Sequence, residues 1–391
     1  MLNFELEFPT KLIFGKGSVD KVGKEVAKYG KKVLIHHDGG DYLTELLNKV
    51  KGLLEAEGLT VLELGGVVPN PHYTLIQKGV ELCRKENVDF VLAIGGGSVM
   101  DSSKAIAFFT KNEGDLTEYA SYRKMSPDCL PLGTIVTMPG TGSEISNNAM
   151  VVDDRGDTWI KYPLFQGSFR FKFAVMDPEL TYSLPLKQTV SGTFDIISHT
   201  MERYFNGENH VNLSNRLCEA NMLTIMDEVR KVIKNPRNYE ARANLFLAAT
   251  LGNSPIIEMG ASSDWAVHGV ENPVTTTFHK THGTCLAIIT PAWMKYVYKR
   301  DLPKFAEFAT RVMGVPADFY DLETTALRGI EALEQFIKEI GLPTRLSEIG
   351  VTEDSFEALA DHATIDVGVE RVGMVSQLTR DEVLEIYRLA K

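Results

Sequence analysis

No framework of paired cysteines is present. Cys83, Cys129, Cys218 and Cys285 are widely separated, with no C-x-x-C pair among them. That spacing excludes a disulfide-stapled scaffold and a thiolate metal cage, so all four are expected to be free thiols. Any metal site must then be built mainly from nitrogen and oxygen. The chain also lacks a basic start followed by an apolar block, and no apolar run approaches membrane-spanning length. The expected compartment is therefore the cytoplasm. Positive charge is in deficit as well: 41 Lys and Arg face 52 Asp and Glu, a net charge of -11. Nucleic acids and anionic membranes reward clustered cations, so neither is an expected partner. Small molecules fit better.

What is present is an ordinary globular composition, 44% apolar and 24% charged, over 391 residues. A chain of that length exceeds one comfortable core, and two domains are expected. In the first half, "KKVLIHH" (31–37), "VDFVLAI" (88–94) and "LGTIVT" (132–137) are strand-length apolar runs separated by amphipathic stretches. Strand–helix alternation predicts a mostly parallel sheet covered on both faces, with ligands at the carboxyl ends of its strands. After "FAVMDPELTYSLP" (173–185), period-3.6 segments take over and strand-like runs almost vanish. The expected division is an α/β nucleotide-binding domain over 1–183 and an all-α domain over 184–391.

"VLAIGGGSVMDSSKAIAFF" joins a strand to a helix through Gly95, Gly96, Gly97 and Ser98. Residues without side chains let backbone N–H groups approach an anion at a helix N-terminus, which suits a pyrophosphate. The spacing is not G-x-G-x-x-G, and a plain tight turn is the competing reading. A second turn, "TMPGTGSEISNN" (137–148), offers the hydroxyls of Thr137, Thr141, Ser143 and Ser146 to a nicotinamide or ribose. Asp38, directly after the first strand, is placed to accept from a ribose diol, with Asp41 three residues on; acids there would repel a 2'-phosphate and favour NAD(H) over NADP(H). Asp and Gly also simply make good turns.

Nine histidines are present. In "DIISHTMERYF" (195–205), Asp195 and His199 lie one helical turn apart, on one face, with a second acid, Glu202, three residues further. In "DWAVHGVENPVTTTFHKTHGTCLAI" (264–288) stand His268, His279 and His282. Asp195, His199 and two of these three would make one carboxylate and three imidazoles, a set suited to Fe(II), Zn(II), Mn(II) or Co(II). Spacing alone does not choose between His279 and His282, and each histidine alone reads more readily as a hydrogen-bonded core residue than as a ligand.

Taken together, "GGGSVMDSSKAIA", "PGTGSEIS", "MDPELTYSLP", "DIISHTMERYF" and "HGTCLAI" resemble the iron-containing (group III) alcohol dehydrogenase family, and within it the NADH-dependent butanol dehydrogenase branch. The likeness runs the length of the chain. It implies a dehydroquinate synthase-like dinucleotide-binding domain, a helical metal-binding domain, a divalent metal, and reversible alcohol–aldehyde interconversion. It also implies a homodimer. The family's four metal ligands fall on Asp195, His199, His268 and His282, the last because it precedes a glycine. Its pyrophosphate turn falls on Gly95–Ser98 with Asp101 in the same motif, its nicotinamide-side loop on Thr137–Ser146, and its cofactor lysine on Lys161. Two departures stand out. Where many members carry a second histidine four residues after the third ligand, this chain has Asn272, which cannot titrate near neutrality. Where NADP-using relatives have a Gly/Ser turn, it has "HDGGD".

Two rivals follow from the same layout. A dehydroquinate synthase-like lyase needs several Lys and Arg about the metal, yet the predicted ligands are flanked mostly by Thr, Ser, Trp and Phe. A catalytically inactive nucleotide-binding protein of the same fold would not need all four ligand positions intact. Trp265, Phe278, Met259 and the "FQGSF" loop are candidates to line an apolar substrate pocket, with ordinary core packing as the alternative for each.

Overall fold

The structure is a computed structural model that describes all of residues 1–391 except 121, 122, 158, 209 and 319. The chain divides into two compact units, Glu7–Leu184 and Pro185–Lys391, the latter joined by Met1–Leu6. The first six residues thus fall with the helices and not, as the sequence suggested, with the α/β domain. They are held by long-range contacts: the Leu2 N–H donates to the Gly260 carbonyl at 2.7 Å and the Met1 ammonium to Glu208 at 3.4 Å.

Within Glu7–Leu184 the strands are β1 (Lys11–Phe14), β2 (Lys32–His37), β3 (Thr60–Leu64), β4 (Phe90–Gly95), β5 (Leu132–Val136), β6 (Asn148–Asp153), β7 (Ile160–Phe165) and β8 (Phe173–Met176). Six of them form a parallel sheet in the order β1-β8-β5-β4-β2-β3. The central strands β4 and β5 are buried at every position, because helices cover both faces and no face meets water. Leaving β2 the chain runs outward to β3, and leaving β4 it runs the opposite way to β5. Diverging connections open a crevice at the carboxyl ends of β2 and β4, the usual ligand position in such sheets. Strands β6 and β7 form a separate antiparallel hairpin.

The second unit is built from helices around one large apolar core. Its central member, Leu186–Tyr204, follows Pro185 and is buried from Thr189 to Tyr204 with no solvent face. A helix surrounded on all sides normally carries only apolar residues. This one buries Asp195, His199, Glu202 and Arg203, so each must find a polar partner inside the protein. Among the described residues, no helix is long and apolar enough to cross a membrane.

Candidate metal centre and dinucleotide turns

Asp195 and His199 project from one turn of the Leu186–Tyr204 helix, with Asp195 Oδ1 3.6 Å from His199 Nδ1. His282 opens the helix His282–Val297, and its Nε2 lies 3.6 Å from the same Oδ1. The next residue explains this approach. A Cβ on Gly283 would collide with the carbonyl oxygen of Ser191, one turn before Asp195, so only glycine lets the two helices come this close. His268 enters from the helix Ala266–Phe278. Ligand atoms of Asp195, His268 and His282 lie within 4.8 Å of one another. His199 stands beside this trio with its ring stacked on that of His268, centroids 4.7 Å apart. His279, the spacing-based alternative, is exposed at the end of its helix with φ 51° and is not part of the cluster.

Two buried carboxylates stand behind the imidazoles. Glu202 Oε1 is 3.1 Å from His268 Nδ1 and also accepts the His268 backbone N–H at 3.1 Å. Glu271 Oε2 is 2.7 Å from His282 Nδ1. A ring Nδ1–H turned toward a carboxylate would leave Nε2, with its lone pair, free to ligate a cation. Burial pushes the Glu202 carboxyl up to about 7, against the pull of the helix-start N–H groups of His268, Trp265 and Val267. Glu202 is therefore a support for His268, a role that its spacing from Asp195 and His199 did not disclose.

The donor set fits a divalent cation. With metal–ligand bonds of about 2.1 Å, tetrahedral ligands lie about 3.4 Å apart, close to the 3.6 Å separations of Asp195 from His199 and His282. The atoms are nitrogen and oxygen only, and the free cysteines Cys83, Cys129, Cys218 and Cys285 are absent from the cluster. Trp265 forms one wall. Its ring meets His199 and His268 edge-on at 5.8 and 5.2 Å, and the Arg203 guanidinium lies 4.8 Å from its centroid. Its φ of 61° is unusual for a bulky residue. Of the other pocket candidates, Phe278 packs against the helical core, the Met259 carbonyl accepts from Ser214, and Phe169 of the "FQGSF" loop is fully buried against Phe108.

In the α/β unit the glycine turn leaves β4 at Gly95, passes Gly96 and enters the helix Gly97–Lys111. The second turn is fastened to the first. Thr137 donates its N–H to the Gly95 carbonyl at 3.0 Å, and a Cβ on Gly97 would strike the Thr141 side chain. Ser98 Oγ accepts from the Asn70 N–H at 3.2 Å. Asp38 follows β2, with Oδ1 accepting from Gly40 N–H at 2.9 Å and Oδ2 accepting from the Tyr42 hydroxyl. Asp41 is exposed at the start of the short 3-10 turn Asp41–Leu43, and Lys161 sits on β7.

Asp101 and Ser146 are engaged within the protein. The Asp101 carboxylate accepts from Ser143 Oγ at 2.6 Å and from the Met150 N–H at 2.9 Å. Between them sits Lys104, which the sequence reading passed over. Its fully buried ammonium shares its three N–H groups among four acceptors, the Ser143 carbonyl and hydroxyl (both 2.7 Å), Ser146 Oγ (2.9 Å) and the Asn148 carbonyl (2.8 Å). Burial lowers its pKa to about 8, with Asp101 opposing. Lys104 thus ties the helix Gly97–Lys111 to the second turn. Lys104→Met is expected to destabilise the protein by about 3 kcal/mol, because Asp101 and two serines lose a buried partner. Urea unfolding would measure this; a change below about 0.5 kcal/mol would show that the network is not cohesive.

Comparison with known proteins gives a consistent result. The family described as "Iron-containing alcohol dehydrogenase" matches residues 9–178, and "Fe-containing alcohol dehydrogenase family, C-terminal" matches residues 189–391. The probable NADH-dependent butanol dehydrogenase 2 of Bacillus subtilis is 35% identical over 389 residues, covering 99% of each chain. The NADPH-dependent aldehyde reductase YqhD of Escherichia coli is 33% identical over 398 residues, covering 100% of each. Among solved structures, NADH-dependent butanol dehydrogenase A from Thermotoga maritima superposes with a TM-score of 0.94 at 34% identity, covering 100% of this chain and 99% of the other. With both halves matched and full-length relatives at this level of identity, the chain belongs to the iron-containing alcohol dehydrogenase family.

Proposed function

We propose that the protein is a nicotinamide-dependent alcohol dehydrogenase that interconverts primary aliphatic alcohols and aldehydes, with Fe(II) as its metal and NAD(H) preferred to NADP(H). The observation that carries this reading is the meeting of Asp195, His268 and His282 around one point, with both imidazoles backed by buried carboxylates. Asp195, His199, His268 and His282 would hold the cation. The backbone N–H groups of Gly96, Gly97 and Ser98 at a helix start would bind the pyrophosphate, and Asp38 the ribose diol. Bound there, a divalent cation supplies Lewis acidity toward a substrate oxygen, and the dinucleotide supplies the hydride acceptor or donor. The chain's own residues then have three tasks. Glu202 and Glu271 fix the ring tautomers, Asp195 contributes a negative charge, and Trp265 presents an apolar wall against which a short alkyl chain can lie.

A substrate bearing carboxylates is disfavoured. Arg203, one helical turn after His199, is already committed to Asn253 at 2.6 Å, Glu258 at 3.2 Å and the Trp265 ring. The test is a panel of aldehydes and alcohols run with NADH and NADPH, or NAD and NADP, on protein loaded separately with Fe(II) and Zn(II). Turnover of simple aldehydes with NADH is expected; folded, metal-loaded protein inert toward the whole panel would overturn the assignment.

A further inference from the structure

Glu271 raises a question of charge. It lies on the helix Ala266–Phe278, one turn after His268, and is completely buried. Thr275 donates its hydroxyl to Oε1. Nearby stand Cys285 and Tyr387, neither of them cationic; Lys280 acts on Cys285 at longer range, and the Tyr387 hydroxyl is spent on the Val270 carbonyl at 2.6 Å. Among the described residues no Lys or Arg comes within ion-pair distance of Glu271; its ion-pair partner is His282 Nδ1 at 2.7 Å. A buried carboxylate with no Lys or Arg paired to it is costly. The charge becomes explicable if a cation lies beyond the imidazole ring.

We infer that Glu271 is a positioning residue for the metal: it fixes His282 with Nδ1–H toward itself and Nε2 toward Asp195, and it places a compensating negative charge behind that ligand. This rests on the metal reading above. Glu271 acts only through His282 and touches neither substrate nor cofactor. Carboxylates in this position raise the basicity of a histidine ligand, and their removal typically weakens metal binding by 10- to 100-fold. A merely structural acid would behave differently, since its loss would weaken the empty and the loaded protein alike.

The test uses the full-length wild type, Glu271→Ala and Glu271→Gln. Zn(II) affinity is measured by competition with a chromophoric chelator, and thermal midpoints are recorded with and without Zn(II). About 10- to 100-fold weaker Zn(II) binding is expected for the alanine variant. A smaller loss is expected for glutamine, whose amide oxygen still accepts from Nδ1–H but carries no charge. The metal-free midpoints of both variants should be no lower than that of wild type, while the rise on adding Zn(II) shrinks. Wild-type affinity in both variants, or equal losses of midpoint with and without Zn(II), would overturn the inference. If the alanine variant does not fold, the near-isosteric glutamine variant decides by the same criteria. Wild-type protein that binds no Zn(II) would overturn the metal reading itself, an outcome distinct from tight binding that ignores Glu271.

Discussion

His268→Ala should lower kcat/KM for aldehyde reduction by at least about 10³-fold, equivalent to about 4 kcal/mol of transition-state stabilisation. The substitution removes one imidazole from the cluster and leaves Glu202, fully buried, without the ring nitrogen it supports at 3.1 Å. Elemental analysis should show reduced metal content. Dinucleotide affinity should persist, because the glycine turn, Asp38 and the Lys104 network all belong to the separate Glu7–Leu184 unit. Circular dichroism and NADH binding would establish that the fold survives. A variant that has lost its metal yet turns over at the wild-type rate would refute the Lewis-acid role outright.

The second large effect concerns cofactor choice. The wild type should favour NADH over NADPH by about 10²-fold in kcat/KM, and Asp38→Ser should reduce that ratio to about 10-fold or less. At an effective dielectric of about 20, like charges about 4 Å apart repel by roughly 4 kcal/mol, and more exposed geometry brings this toward the smaller figure used here. Asp38 is held by its own turn, since the Gly40 N–H and the Tyr42 hydroxyl each engage one carboxylate oxygen. Each oxygen keeps a further lone pair for a ribose hydroxyl. Steady-state kinetics with both cofactors measure the ratio directly. A clear advantage for NADPH in the wild type would show that Asp38 and Asp41 do not act as proposed.

Several features were readable because they are local. The apolar runs at 31–37, 88–94 and 132–137 coincide with β2, β4 and β5, whose continuous hydrophobicity reflects burial on both sheet faces. The pairing of Asp195 with His199 follows from helical geometry alone. The β6–β7 hairpin was harder to see, because its residues alternate only weakly and β7 is mostly half-buried, with Pro163 interrupting the run. The grouping of the opening six residues with the helices rests on contacts such as that of Leu2 with Gly260, 258 positions away, which no composition shift announces.

By itself the sequence determined the alternation that makes a parallel sheet, the glycine turn at the end of β4, and the presence of one acid and several histidines suited to a cation. These depend on residue type and on spacings of a few positions, where backbone geometry leaves little choice. Spacing left His279 and His282 level and only the family resemblance pointed to His282; the tertiary structure gathered Asp195, His268 and His282 together, gave Glu202 and Glu271 their places behind two rings, and buried Lys104 between the two turns. Those outcomes depend on how closely distant helices approach, as at Gly283 against Ser191. They depend equally on which polar groups, once buried, can find one another, and neither condition is written in any short stretch of the chain.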